Sequence, residues 1–155
     1  MYLTHPELWP ALLTFIAFCT PMAITDAREH RLPLPLTLGL IGAGALTLTY
    51  ASALIDWKHL INAGVSAVIV TLFMIGLFIA ARGHLGFGDV ILTCGLALFT
   101  GFISPIHAIG ALWLGCLFSL AWALKRRRED ETGPIPFGPG LIAGATLTLF
   151  APALS

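Results

Sequence analysis

Apolar stretches near residues 8–25, 36–55, 61–81, 90–104, 106–124 and 138–153 take up most of the chain, with short turns between them. A helix needs about 20 apolar residues to cross the hydrocarbon core of a bilayer. The expected fold is therefore an all-α integral membrane protein with about six transmembrane helices. A mean hydropathy of +0.91, with only 10% charged residues, excludes a water-soluble core of this size and makes the lipid bilayer the expected surrounding. The formal net charge of zero gives no electrostatic reason to expect a nucleic-acid partner. The fourth and sixth stretches are short, and Ser104-Pro105 is the only break between the fourth and fifth, so the helix count rests on that turn. With Glu7 and no Lys or Arg in residues 1–10, the first stretch is expected to be a retained helix, not a cleaved signal. Without internal repeats or low-complexity linkers, residues 1–155 read as a single membrane-embedded domain.

Basic residues set the expected orientation. Arg28, Arg31, Arg82, Lys125, Arg126, Arg127 and Arg128 fall in alternate loops, and Lys58 alone falls on the opposite side. The positive-inside rule then places the amino terminus outside the cytoplasm and the turns after helices 1, 3 and 5 inside. Trp9, Trp57 and Trp122 lie near span ends, as interfacial anchors should, whereas Trp113 falls within helix 5 and is expected to be a packing residue.

On this topology Asp26 ends helix 1 and Asp89 begins helix 4, both at the cytoplasmic face. Ionisable residues in such an apolar chain are functional candidates. Two carboxylates in a partly dehydrated site repel when both are ionised, so the pair retains one proton near neutrality. The ionised member can take a proton from water while the protonated member polarises a carbonyl, without a covalent intermediate. Structural roles compete with this reading: Asp26 balanced by Arg28 or Arg31, and Asp89 capping helix 4. Gly86 and Gly88 leave the backbone beside Asp89 bare enough for a substrate strand, or form a flexible turn.

Other polar residues suggest less. His5, His30, His59, His84 and His107 are scattered, with no metal-ligand spacing. Cys19, Cys94 and Cys116 stand singly in apolar stretches and read as small buried hydrophobes. Neither a metal nor a cofactor is expected. Gly140 and Gly144 in helix 6, and Gly39, Gly42 and Gly44 in helix 2, would let helices approach closely, within one chain or between two.

Three separated motifs carry a family resemblance spanning nearly the whole chain. Asp26 precedes a basic loop ending in Leu32-Pro33; Gly86-Phe87-Gly88-Asp89 is a GxGD segment; and Pro136-Phe137-Gly138-Pro139 precedes the last helix. In these the chain resembles the type IV prepilin peptidases, a branch of the GxGD membrane aspartic proteases. The resemblance implies that Asp26 and Asp89 are catalytic, with Pro33, Gly86, Phe87, Gly88 and the Pro136–Pro139 segment shaping or binding at the site. It implies an endopeptidase of the bacterial cytoplasmic (inner) membrane, acting at the cytoplasmic face. Its substrate would be a type IV prepilin or pseudopilin precursor, cut between a short basic leader and an apolar helix. Glu129, Asp130 and Glu131 would attract that leader or simply form a solvated loop.

The chain departs from the pattern at Leu34, where the family commonly has Asn or Asp, and at Ile91, where it commonly has Lys. Without that lysine, either the protonation balance at Asp89 differs or another basic group, Arg82 or His84, compensates. Larger members carry a cytoplasmic segment with paired cysteines associated with methylating the new amino terminus. Nothing in these residues corresponds to it, so a peptidase-only form is expected. A noncatalytic pilus or secretion-system assembly factor of the same fold is the alternative, followed by a proton-coupled transporter, which would place its carboxylates nearer the midplane.

Overall fold

A computed structural model describes residues 5–29, 32–80, 82, 86–128 and 137–150, with backbone alone at 126–128. After a 3-10 turn at Pro6–Leu8 come six helices: α1 (Trp9–Glu29), α2 (Leu34–Leu54), α3 (Trp57–Ala80), α4 (Phe87–Ile103), α5 (Pro105–Arg128) and α6 (Gly138–Phe150). All regular structure among the described residues is helical, as the apolar stretches required. α1 with its leading turn, α2, α3 and α5 are each long and apolar enough to cross a membrane.

α4 has 17 residues and α6 has 13, short of that length. Enclosure explains how α4 tolerates this. It packs against α2, α3, α5 and α6, and its buried residues, among them Val90, Leu92, Thr93, Gly95, Leu96, Gly101 and Phe102, cover well over half of its circumference. A helix walled in by protein can end at membrane depth, because its terminal backbone groups meet protein and not lipid.

The Ser104-Pro105 break is real. Ser104 is extended, with φ −168° and ψ 159°, and Pro105 opens α5, where its missing N–H costs nothing. The Ser104 hydroxyl lies 2.7 Å from His107 Nδ1, and its carbonyl accepts from the His107 N–H at 3.1 Å.

Successive helices run up and down the bundle. His59, at the start of α3, stacks on Phe102 near the end of α4 at 5.2 Å and bonds its carbonyl through Nδ1 at 2.8 Å. At the other end Phe78, late in α3, meets Phe87, which opens α4. The end of α3 and the start of α4 therefore share one end of the molecule, and the Gly138 N–H bonded to Asp26 brings the end of α1 and the start of α6 together as well.

Packing relies on bare backbone. A side chain at Gly44 would come within 2.7 Å of the Phe99 ring, itself edge-on to Phe15 at 5.4 Å. Gly144 lies so close to α5 that a methyl there would sit 2.6 Å from the Ala111 carbonyl oxygen and 2.7 Å from Gly115 Cα. The small residues of α6 thus serve packing within the chain. Gly39 meets Phe18 of α1 in the same way, but Gly42 faces open space.

The surface is apolar: Leu46 and Ile106 are each 75% exposed and Trp113 is 67% exposed. Trp113 is thus not the packing residue expected from its mid-helix position. In a lipid-facing helix both faces are apolar, so hydrophobicity does not distinguish the inner face from the outer.

Candidate active site

Asp26 lies in the last turn of α1, which continues beyond the expected end to Glu29. It is 5% exposed. Its Oδ2 accepts a hydrogen bond from the Gly138 N–H at 3.0 Å, across 112 residues. Gly138 is the first residue of α6, and the N–H groups of a first helical turn have no partner within their own helix. The Asp26 carboxylate supplies one, so it caps α6 from another helix, where the partial positive charge of the helix start favours an anion.

Asp89 lies in the first turn of α4 and is 7% exposed. Gly86, not Asp89, is the N-cap, with φ −71° and ψ 135°. Asp89 is three residues further on, and its side chain takes a backbone hydrogen bond from Gly86. This is the return half of a capping box, in which the third helical side chain reaches back to the N-cap N–H. The sequence-based alternative of Asp89 as a helix cap is therefore correct in effect but not in position. Asp26 is close enough for its charge to act on Asp89.

Leu32 joins the two halves. A methyl at Gly88 would lie 3.1 Å from Leu32 Cβ, and one at Gly138 would lie 3.4 Å from Leu32 Cδ2 and 2.5 Å from Asp26 Oδ2. The residue between the basic loop and Pro33 thus packs against both glycine-bearing segments, and Pro33 itself is the N-cap of α2. Leu32, known from the sequence only as the apolar residue before Pro33, belongs to the site, and so does Ser119 of α5, which gave no signal in the sequence and whose hydroxyl donates to the Phe137 carbonyl at 3.2 Å.

The remaining predicted residues divide. Phe87 is 60% exposed, with its ring 5.8 Å from Phe78 of α3, so it supports the α3–α4 turn. Phe137 is half-buried against the core, and Pro139 is half-buried one residue beyond Gly138. Pro136, His30, His84, Arg31 and the acidic residues 129–131 lie outside the described residues. Arg82 is exposed at the end of α3 with φ 48°. Ile91 is half-buried and, two residues past Asp89 on one helix, points roughly 200° away from it. A cation at position 91 would not face the Asp89 carboxyl directly.

Two carboxyls nearly shut off from solvent, coupled electrostatically and each oriented by a backbone N–H, are the kind of groups that general acid–base chemistry uses. The type IV leader peptidase family matches residues 13–125, nearly three quarters of the chain. The chain belongs to that family. The matched part includes both aspartates and stops before the Pro136–Pro139 segment. Similarity to a prepilin leader peptidase/N-methyltransferase of Pectobacterium carotovorum subsp. carotovorum is 26% identity over 147 residues, covering 93% of this chain and 52% of that protein. This member of the leader peptidase family thus spans about half the length of the curated relative it matches. No solved structure matches it.

Proposed function

We propose that the protein is a membrane aspartic endopeptidase that removes the short cytoplasmic leader of a type IV prepilin or pseudopilin, using Asp26 and Asp89 to activate water. The observation that carries this reading is the convergence of two buried carboxyls, from α1 and α4, at one end of the bundle in a chain of the leader peptidase family. In the reaction the ionised member of the pair takes a proton from water as it attacks the scissile carbonyl carbon. The protonated member donates to the carbonyl oxygen, and the leaving amine collects a proton as the tetrahedral intermediate collapses.

The glycines beside Asp89 serve close packing, since a methyl at Gly88 would meet Leu32 and one at Gly86 the Asp89 carboxyl, so an extended substrate strand would have to reach the carboxyls from beside this segment and not over it. Such a strand needs backbone partners, because peptide groups near the bilayer core are costly when unpaired. The end bearing the carboxyls also carries Arg28, Arg82 and Lys125, and the positive-inside rule supports reading it as the cytoplasmic face of the inner membrane. Peptidase activity without methylation is part of the reading, supported by three cysteines that sit singly on α1, α4 and α5.

The test is to mix the purified protein in detergent or liposomes with a candidate prepilin from the same genome and follow the mobility and mass of the product. The expected outcome is release of the leader with unmodified pilin, abolished by Asp26→Asn and by Asp89→Asn. Cleavage by both variants at the wild-type rate would return the aspartates to helix capping alone.

A further inference from the structure

We infer that Ser119 is a positioning residue for Asp26, acting through the single peptide plane between Phe137 and Gly138. The N–H of that plane donates to Asp26 Oδ2 at 3.0 Å. Its C=O, on the opposite edge, accepts from the Ser119 hydroxyl at 3.2 Å. A peptide unit is rigid and planar, so fixing its carbonyl also fixes the direction of its N–H.

The surroundings are built for this contact. Ser119 is 1% exposed and sits on α5 opposite the start of α6. Its backbone N would lie 2.9 Å from a methyl at Gly140, and its Oγ would be closer still, so only glycine at position 140 lets the hydroxyl reach the carbonyl. The same hydroxyl lies 2.9 Å from the Gly115 carbonyl one turn back on α5, and its single proton is shared between the two acceptors. Phe137 O also accepts the first helical bond of α6, from the Leu141 N–H at 3.1 Å. Removing the Ser119 hydroxyl therefore does not orphan the carbonyl. It frees the plane to turn toward Leu141, and the N–H tilts away from Asp26.

The consequence for rate rests on the proposed peptidase reading, whereas the geometry can be tested without it. Phe-Gly occurs at 87–88 and at 137–138 only. Labelling phenylalanine at the carbonyl carbon with 13C and glycine with 15N thus yields two doubly labelled peptide bonds, and Phe137→Leu identifies the second by deleting its signal. In the full-length protein in lipid, Ser119→Ala is expected to move the Gly138 amide proton upfield and to shift the Phe137 carbonyl, with the 87–88 signal unmoved. Ser119→Cys, isosteric with a weaker donor, is expected to shift the same signals in the same direction by less, and serves alone if the alanine variant does not fold.

Against a cleavable prepilin, kcat should fall roughly threefold to tenfold in Ser119→Ala, the size of one neutral hydrogen bond, with KM changed by less than about twofold because Ser119 touches no substrate. A Gly138 signal unmoved in a folded variant overturns the inference, as does an 87–88 signal moving equally, which would mean general disturbance. A moved signal with unchanged kcat overturns the catalytic consequence. Absence of cleavage by the wild-type protein would instead refute the peptidase reading and leave the amide shifts to decide how Asp26 is positioned.

Discussion

At residue scale, three aspartates of this chain occupy helix ends, and their surroundings separate their roles. Asp56 precedes α3, and its Oδ1 accepts from the Lys58 N–H at 2.9 Å, a conventional exposed N-cap. Asn is as good an N-cap as Asp, and Ala is worse by about 1 kcal/mol. Asp56→Asn should therefore leave thermal unfolding in detergent and leader removal unchanged, while Asp56→Ala lowers stability by about that amount with cleavage intact. Asp26 and Asp89 also hold backbone N–H groups, but both are buried and coupled to each other. Asn keeps an acceptor oxygen for each cap, so Asp26→Asn and Asp89→Asn should fold like the wild type and lose cleavage; parallel loss of folding would mean that capping is their whole role. A shared proton also predicts a bell-shaped dependence of kcat on pH. Activity falls on the acid side as the ionised member takes a proton, and on the alkaline side as its partner loses one. A profile flat on the alkaline side up to the limit of protein stability would contradict that sharing. Sequence alone pointed to both aspartates because carboxylates are conspicuous in apolar surroundings. It could not show that Asp26 caps α6, because the partner N–H is 112 residues away, and backbone donors carry no mark in a sequence.

At the scale of elements, glycines decide how closely helices approach, and equal-looking glycines differ in what they face. Gly144 abuts the backbone of α5, which cannot rotate aside as a side chain can, so Gly144→Ala must push α6 away from α5. Overpacking of this kind costs roughly 1–3 kcal/mol. Gly42→Ala meets nothing within 4 Å and should be neutral or stabilising by up to about 1 kcal/mol, through helix propensity. Unfolding of the two variants in mixed micelles gives the comparison, and equal stabilities would mean that the α5–α6 contact is looser than described. The displacement in Gly144→Ala should also reach the site, because α6 begins at the Gly138 amide that holds Asp26. These helices were legible from apolar length, and the α4–α5 turn from Ser104-Pro105. The inward face of each helix was not legible, as Trp113 shows: with lipid outside and protein inside, the sequence contrast that marks a buried stripe in water is missing. The crowded glycines were visible in the sequence, but Gly42 could not be told from Gly44 before their neighbours were known.

For the molecule as a whole, the up-and-down course of six helices brings the end of α1 and the starts of α4 and α6 together, so residues from the first, middle and last parts of the chain form one site. No single segment could contain it, which is why only widely spaced motifs signalled it. The side of the membrane that this end is expected to face is read from charge: Arg28, Arg82 and Lys125 lie at this end and Lys58 at the other. Anionic lipid and the translocation machinery retain Lys and Arg in the cytoplasm, so the carboxyls should open to the compartment where a leader peptide is made. Single cysteines can check this in a background lacking Cys19, Cys94 and Cys116. Trp57 is 56% exposed at the opposite end, and Glu29 is exposed one turn beyond Asp26; neither substitution removes a basic residue. A thiol reagent that cannot cross membranes should label Trp57→Cys in intact spheroplasts and Glu29→Cys only after lysis. The reverse pattern would place Asp26 and Asp89 on the outer side, where a leader retained in the cytoplasm could not reach them, and the peptidase reading would then need a translocated substrate.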